Sequence, residues 1–138
     1  VDYNSIDDES INKLNFNNFS IPKNFLHRIN KKDVFHYLYK NQEIVCYGWS
    51  SKCSNFYVKE KNFFIENFDN LIFYDFYTLN NYRNKGYYQK LLKTMIKNYS
   101  NKNCYIYTTI FNKRSVRSIL KSGFSLFKII FLSKKIIL

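Results

Sequence analysis

The sequence predicts an α/β fold with a mixed sheet, on three observations. Leu71–Leu79 (LIFYDFYTL) is a short apolar and aromatic run rich in β-formers, which reads as a buried strand. After Gly86 the period changes. Tyr88, Leu91, Leu92, Met95, Ile96 and Tyr99 recur at three- and four-residue steps, while Gln89, Lys90, Lys93 and Lys97 take the other face, as in an amphipathic helix. A further short strand, Asn103–Ile110, follows, so strand, helix and strand form one crossover, expected to be parallel and right-handed.

Residues 1–32 are the least legible. Asp7, Asp8 and Glu9 suit the first turn of a short helix containing Ile11 and Leu14. Asn15–Ser20 is loop-like, and Pro22 fits the first turn of a second short helix with Phe25, Leu26 and Ile29 on one side. Val34–Lys40 and Glu43–Trp49 make a hairpin around Asn41-Gln42, a weaker turn pair than Asn-Gly. Phe56–Glu60 is a strand or an extended loop, and Phe63–Asn70 a polar-aromatic connection. Asn112–Ser122 is a helix with Val116, Ile119 and Leu120 on its apolar side, ended by Gly123. Leu126–Leu132 and Ile136–Leu138 read as closing strands around Ser133-Lys134-Lys135. Neither a repeat nor a Gly/Ser/Pro linker interrupts the chain, so residues 1–138 are expected to form one domain.

A formal charge of +12 would suit a polyanionic partner. The chain has no alanine and is crowded with Lys, Asn, Ile, Phe and Tyr, whose codons are A/T-rich, and a genome of low GC content yields that charge without selection for it. Cys46, Cys53 and Cys104 lack metal-type pairing, and His27 and His36 have no paired cysteines, so no metal is expected. Apolar runs stop short of the roughly 20 residues a membrane span needs. The first ten residues are polar and acidic, unlike a signal peptide, so a cytoplasmic protein with reduced thiols is expected.

The junction Asn81–Tyr88 (NYRNKGYY) carries the strongest functional signal. A basic, glycine-containing turn at a helix start presents unpaired backbone N–H groups. With the positive end of the helix dipole, they make a site for phosphate oxygens.

Two motifs here resemble those of the GNAT superfamily of acyl-CoA-dependent N-acetyltransferases. The family's Gln/Arg-x-x-Gly-x-Gly/Ala stands as Arg83-Asn84-Lys85-Gly86-Tyr87-Tyr88, with Tyr88 in place of the small last residue. The family's Asn, followed eleven residues later by Gly-Phe, stands as Asn112 and Gly123-Phe124. The resemblance covers residues 33–132. It implies a twisted mixed sheet whose fourth and fifth strands splay apart in a V, with acetyl-CoA as co-substrate. Amides of Asn84, Lys85, Gly86, Tyr87 and Tyr88 would cradle the pyrophosphate, with Arg83 and Lys85 adding charge and Gly86 allowing close approach. The backbone of Phe76, Tyr77 and Thr78 would pair with the pantetheine arm, and one N–H there would polarise the thioester carbonyl. Asn112 would hydrogen-bond the pantetheine or a neighbouring carbonyl.

An amine would then attack the thioester directly, with a base to take its proton and a donor for the leaving thiolate. Many family members supply that donor as a Tyr five positions before the Phe of Gly-Phe; here that position is Ile119. Tyr107 and Tyr105 are the nearby candidates by topology. Asp75 is the candidate base, since a carboxylate amid LIFYDFYTL is costly to bury and burial would raise its pKa. The alternative is that it satisfies backbone or tyrosine groups. His36 is a second possible base, though a strand histidine is more often a core residue. Tyr37, Tyr39, Tyr47 and Tyr57 are mostly core, with a possible acceptor floor beside Trp49. Arg114 and Arg117 read as a solvated face.

The YGW-containing strand and the DFYTLNNYR segment are similar to GNAT proteins associated with surface-polysaccharide synthesis, which implies an amino-sugar nucleotide as acceptor. Protein N-termini are other possible acceptors. A basic nucleic-acid-binding module is the competing class, because Lys85-Gly86-Tyr87-Tyr88 also resembles an RNA-recognition strand. A GNAT-shaped protein without catalysis is the third. Helical spacing after Tyr88 disfavours nucleic acid as the partner. The oligomeric state is left open, a homodimer included. The chain begins at Val1, and if residues before it have been removed, the family's first strand would be missing or supplied by a partner chain.

Overall fold

The computed structural model describes residues 1–6, 24–52, 55–58, 63–66, 70–127 and 129. Within them a five-stranded sheet has the order β1-β2-β3-β6-β7, where β1 is Asp2–Ile6, β2 Val34–Lys40, β3 Glu43–Ser51, β6 Leu71–Thr78 and β7 Cys104–Ile106. A separate ribbon pairs β4 (Asn55–Val58) with β5 (Phe63–Glu66), so the segment expected as a plain connection contains a strand. The helices are α1 (Phe25–Asn30), α2 (Tyr87–Asn98) and α3 (Lys113–Lys121).

The hairpin forms as expected, with Val34 opposite Ser50 and Lys40 opposite Glu43. Its turn residues Asn41 (φ 51°) and Gln42 (φ 63°) both adopt the left-handed backbone that two-residue hairpins need. β1 pairs antiparallel with β2 from Asp2–Tyr39 to Ile6–Phe35. β1 thus places a strand ahead of β2 at the sheet edge, a point the sequence left open.

Helices cover both faces of the sheet, which is why the central strands are apolar on both sides. Phe25 and Ile29 of α1 pack with Phe35, Trp49, Ile72 and Tyr74 on one face. Leu91, Leu92 and Met95 of α2, with Ile119 of α3, pack on Leu38, Val45, Leu71 and Phe73 on the other. Each such buried aliphatic side chain stabilises the fold by about 1.5–3 kcal/mol relative to exposure. His36 is buried too. Its Nδ1 shares a hydrogen bond with the Tyr3 hydroxyl (2.6 Å) and its Nε2 with Ser50 Oγ (2.8 Å).

β6, α2 and β7 form the expected crossover, and β6 and β7 are parallel. β7 is shorter than expected, three residues instead of Asn103–Ile110. Leu126 and Phe127 are exposed and lie outside any strand. The other closing-strand residues, the expected helix around Ile11 and Leu14, Pro22 and Cys53 lie outside the described residues, apart from the exposed Ile129. Cys46 and Cys104 are free thiols. No helix among the described residues is long and apolar enough to cross a membrane.

Candidate active site

The parallel pairing of β6 with β7 runs only from Leu71–Cys104 to Phe73–Ile106. Beyond it, Tyr74–Thr78 has β3 as its only strand partner among the described residues. The two strands thus part at mid-sheet and leave one edge of β6 open. A bulge sits in this open stretch. Tyr47 faces Tyr77 and Trp49 faces Tyr74, so Gly48 alone opposes both Asp75 and Phe76. Asp75 takes a left-handed backbone (φ 50°).

β6 leads through a 3-10 turn, Asn80–Tyr82, into the basic junction. Asn84 (φ 61°) and Gly86 (φ 78°) bend the chain, and Gly86 is the N-cap of α2. No side chain caps this end, and its first turn holds no acidic residue. The helix therefore presents its first amides and an uncompensated positive dipole end. A β-carbon at Gly86 would meet nothing within 4 Å, so its φ of 78° favours glycine there while packing inside the protein does not demand it. Space over that backbone is what a phosphate would use. Arg83, Asn84, Lys85 and Gly86 are exposed. Arg83 donates from Nε to the Thr78 carbonyl (3.0 Å) and lies over the Tyr77 ring, and Lys85 lies over the Tyr82 ring. A cavity of about 240 Å³ flanks the 3-10 turn, but its lining includes neither Gly86, Asn112 nor Asp75.

Tyr87 and Tyr88 are helical, which removes the RNA-strand reading. Tyr88, the departure from the family motif, points inward. Its ring packs on Phe76 (5.2 Å) and its hydroxyl meets Ser115 Oγ (3.4 Å). Burial pushes the Tyr88 phenol up to about 12, with the Ser115 hydrogen bond acting against it. That bond ties the first turn of α2 to the first turn of α3. α3 also starts without an acidic residue, and Asn112 caps it by accepting from the Ser115 N–H (3.2 Å). The open edge of β6 and two helix N-termini are thereby brought together.

Ile119 is buried against the sheet with Phe73 and Leu91, so at this position the chain has a core residue and no donor. Tyr107 stands just past the end of β7, near Phe56 (6.0 Å), and packs on the face away from Ile119. Tyr105 packs there as well.

Asp75 departs from expectation. It is not buried: its side chain is 44% exposed and it pairs with Arg28 of α1. Strict alternation after Leu71 would turn it under α2. The bulge puts it on the same face as Tyr74, and Arg28 meets both. His36 also loses its place as a base, since burial drops its pKa to about 3 and two hydroxyls occupy its ring nitrogens. Arg28 had no signal in the sequence, because its partner is 47 residues away across the sheet.

The GNAT acetyltransferase family model matches residues 7–124. The chain belongs to this family, an acetyltransferase family with acetyl-CoA as donor. No curated protein sequence matches the chain at a significant level. Among solved structures it is similar to the aminoglycoside N-acetyltransferase AAC(6')-Iy in complex with CoA, at TM-score 0.66 and 11% identity over 98% of this chain and 100% of that one. The apo aminoglycoside 6'-N-acetyltransferase AAC(6')-IG from Acinetobacter haemolyticus gives TM-score 0.61 at 17% identity, with 99% of each chain covered. The aminoglycoside acetyltransferase meta-AAC0020 from an uncultured soil metagenomic sample, in complex with trehalose, gives 0.59 at 15%, over 86% of this chain and 78% of that one. These identities carry the fold.

Proposed function

We propose that this chain moves an acetyl group from acetyl-CoA to the primary amine of a small molecule by direct attack. The observation that carries the reading is the uncapped, acid-free start of α2 at the open edge of β6, with clear space above Gly86. Amides of Asn84, Lys85, Gly86, Tyr87 and Tyr88 hold the pyrophosphate, and Arg83 and Lys85 add positive charge. Phe76, Tyr77 and Thr78 offer main-chain groups to the pantetheine arm. The cap bond uses Asn112 Oδ1, so its Nδ2–H₂ is the group that meets the cofactor. Asp75 takes a proton from the ammonium. The neutral amine nitrogen bonds to the acetyl carbon, the carbon–sulfur bond breaks, Tyr107 gives a proton to the sulfur, and the second proton shed by the new amide nitrogen restores the Tyr107 hydroxyl.

The acceptor class is supported by the aminoglycoside acetyltransferases among the structural neighbours, which act on small-molecule amines. An amino-sugar nucleotide is the particular acceptor that the resemblance to polysaccharide-associated proteins offers. The reading is of a single-domain enzyme working in the cytoplasm, as a homodimer or alone. Calorimetric titration with acetyl-CoA, followed by a mass-spectrometric screen of acetyl transfer onto aminoglycosides, amino-sugar nucleotides, amino acids and peptides, tests it. Binding with transfer to a small amine is expected; no binding of acetyl-CoA would overturn it.

A further inference from the structure

Arg28 and Asp75 form an ion pair beside the β6 bulge, on the face away from α2 and α3. The Arg28 guanidinium lies 5.1 Å from the Trp49 ring centre and 5.2 Å from that of Tyr74. Stacking on two rings holds the planar cation in place, with its N–H edges in the plane of the fork. Asp75 sits on strained backbone, 44% exposed, and Arg28 is 21% exposed. Tyr47 and Tyr77 extend the aromatic surface with their rings 5.8 Å apart.

From this we infer that the acceptor is a zwitterion: an amine with a carboxylate one carbon away and an aromatic or apolar side chain. It enters by replacing each half of the Arg28–Asp75 pair. Its carboxylate takes the guanidinium fork, a bidentate match, and its ammonium takes Asp75. The inference rests on the reading of Asp75 as the group that receives the amine.

Charge separates this ligand from its rivals. A partly exposed ion pair is weakly held, so exchange for a ligand carrying both charges costs little. An amine without an anion would take Asp75 and leave Arg28 unpaired beside a second cation. Among the described residues, Asp33 is buried and accepts from the Tyr74 hydroxyl (2.5 Å), and Glu43 accepts from the Tyr82 hydroxyl (2.9 Å).

Trp49 is the single tryptophan and lies under Arg28, so its emission reports on the pair directly. The intact protein, with and without CoA, is titrated with L-phenylalanine, L-phenylalaninamide and 3-phenylpropanoate, with excitation at a wavelength only tryptophan absorbs. L-Phenylalanine is expected to change Trp49 emission saturably and to bind at least about 10-fold tighter than the other two. Arg28→Gln is expected to bring the three affinities within about twofold of one another, and Arg28→Lys to restore part of the difference. Equal responses to the three probes, or none to any, overturn the proposal. CoA affinity, measured separately by calorimetry, decides the acetyltransferase reading whichever way the titration falls.

Discussion

The Phe76 ring occupies the place where a β-carbon on residue 48 would stand: an ideal Cβ at Gly48 would come within 2.2 Å of the ring. Gly48 is thus the half of the bulge that lets β6 carry Phe76 inward, against Tyr88, while Asp75 turns to Arg28. We expect Gly48→Ala to displace the ring and cost about 1–3 kcal/mol of stability, as overpacking does. Urea unfolding measures this. Acetyl transfer should fall with it, because both sides of the site are set by the same bulge. A variant as stable and active as the parent would show that the bulge tolerates a side chain there.

Asn112 has two jobs that one pair of variants separates. Asn112→Ala removes the α3 cap and should cost about 1 kcal/mol of stability. Asn112→Asp keeps an accepting oxygen for Ser115 N–H but lacks the amide donor. It is expected to retain stability and lose acetyl-CoA affinity. If Asn112→Asp binds acetyl-CoA as the parent does, Nδ2 makes no bond to it.

Local pattern made much of the fold legible. The strand at Leu71–Thr78, α2, α3 and the hairpin each announce themselves through periodicity within one segment. β1 did not, because Asp2–Ile6 is polar at most positions and is recruited by pairing with β2. The basic junction was legible because a helix start is a local feature. Asp75's surroundings were not, since the bulge that turns it outward depends on Gly48, a glycine on another strand. The same holds for Arg28, whose role comes from rings and a carboxylate that are distant in sequence.

His36 makes stability depend on pH. Its ordinary pKa of 6.5 falls to about 3 in the fold because burial disfavours the charged ring. The unfolded chain therefore binds a proton below pH 6.5 that the folded chain refuses. Stability from this group is full above pH 6.5 and declines as pH falls toward about 3, by up to about 1.4 kcal/mol per unit. Urea unfolding between pH 7 and 4 reads the slope, and His36→Gln should flatten it. A slope unchanged in that variant assigns the acid sensitivity to other groups.

Asp75→Asn keeps the side-chain shape and removes the acceptor of the amine's proton. Turnover is expected to fall about 100-fold or more, while acetyl-CoA affinity stays within about twofold. Comparable turnover in parent and variant would take the base role from Asp75.

The central claim is that the start of α2 grips a diphosphate. Calorimetric titration of the parent and of Gly86→Val with CoA and with pantetheine, which lacks the diphosphate, tests it most directly. The account predicts that the parent binds CoA at least about 100-fold more tightly than pantetheine, the order of several charge-assisted hydrogen bonds. It also predicts that Gly86→Val, still folded by circular dichroism, loses most of that difference. Equal affinities for the two ligands in the parent, or an undiminished preference for CoA in Gly86→Val, would contradict it.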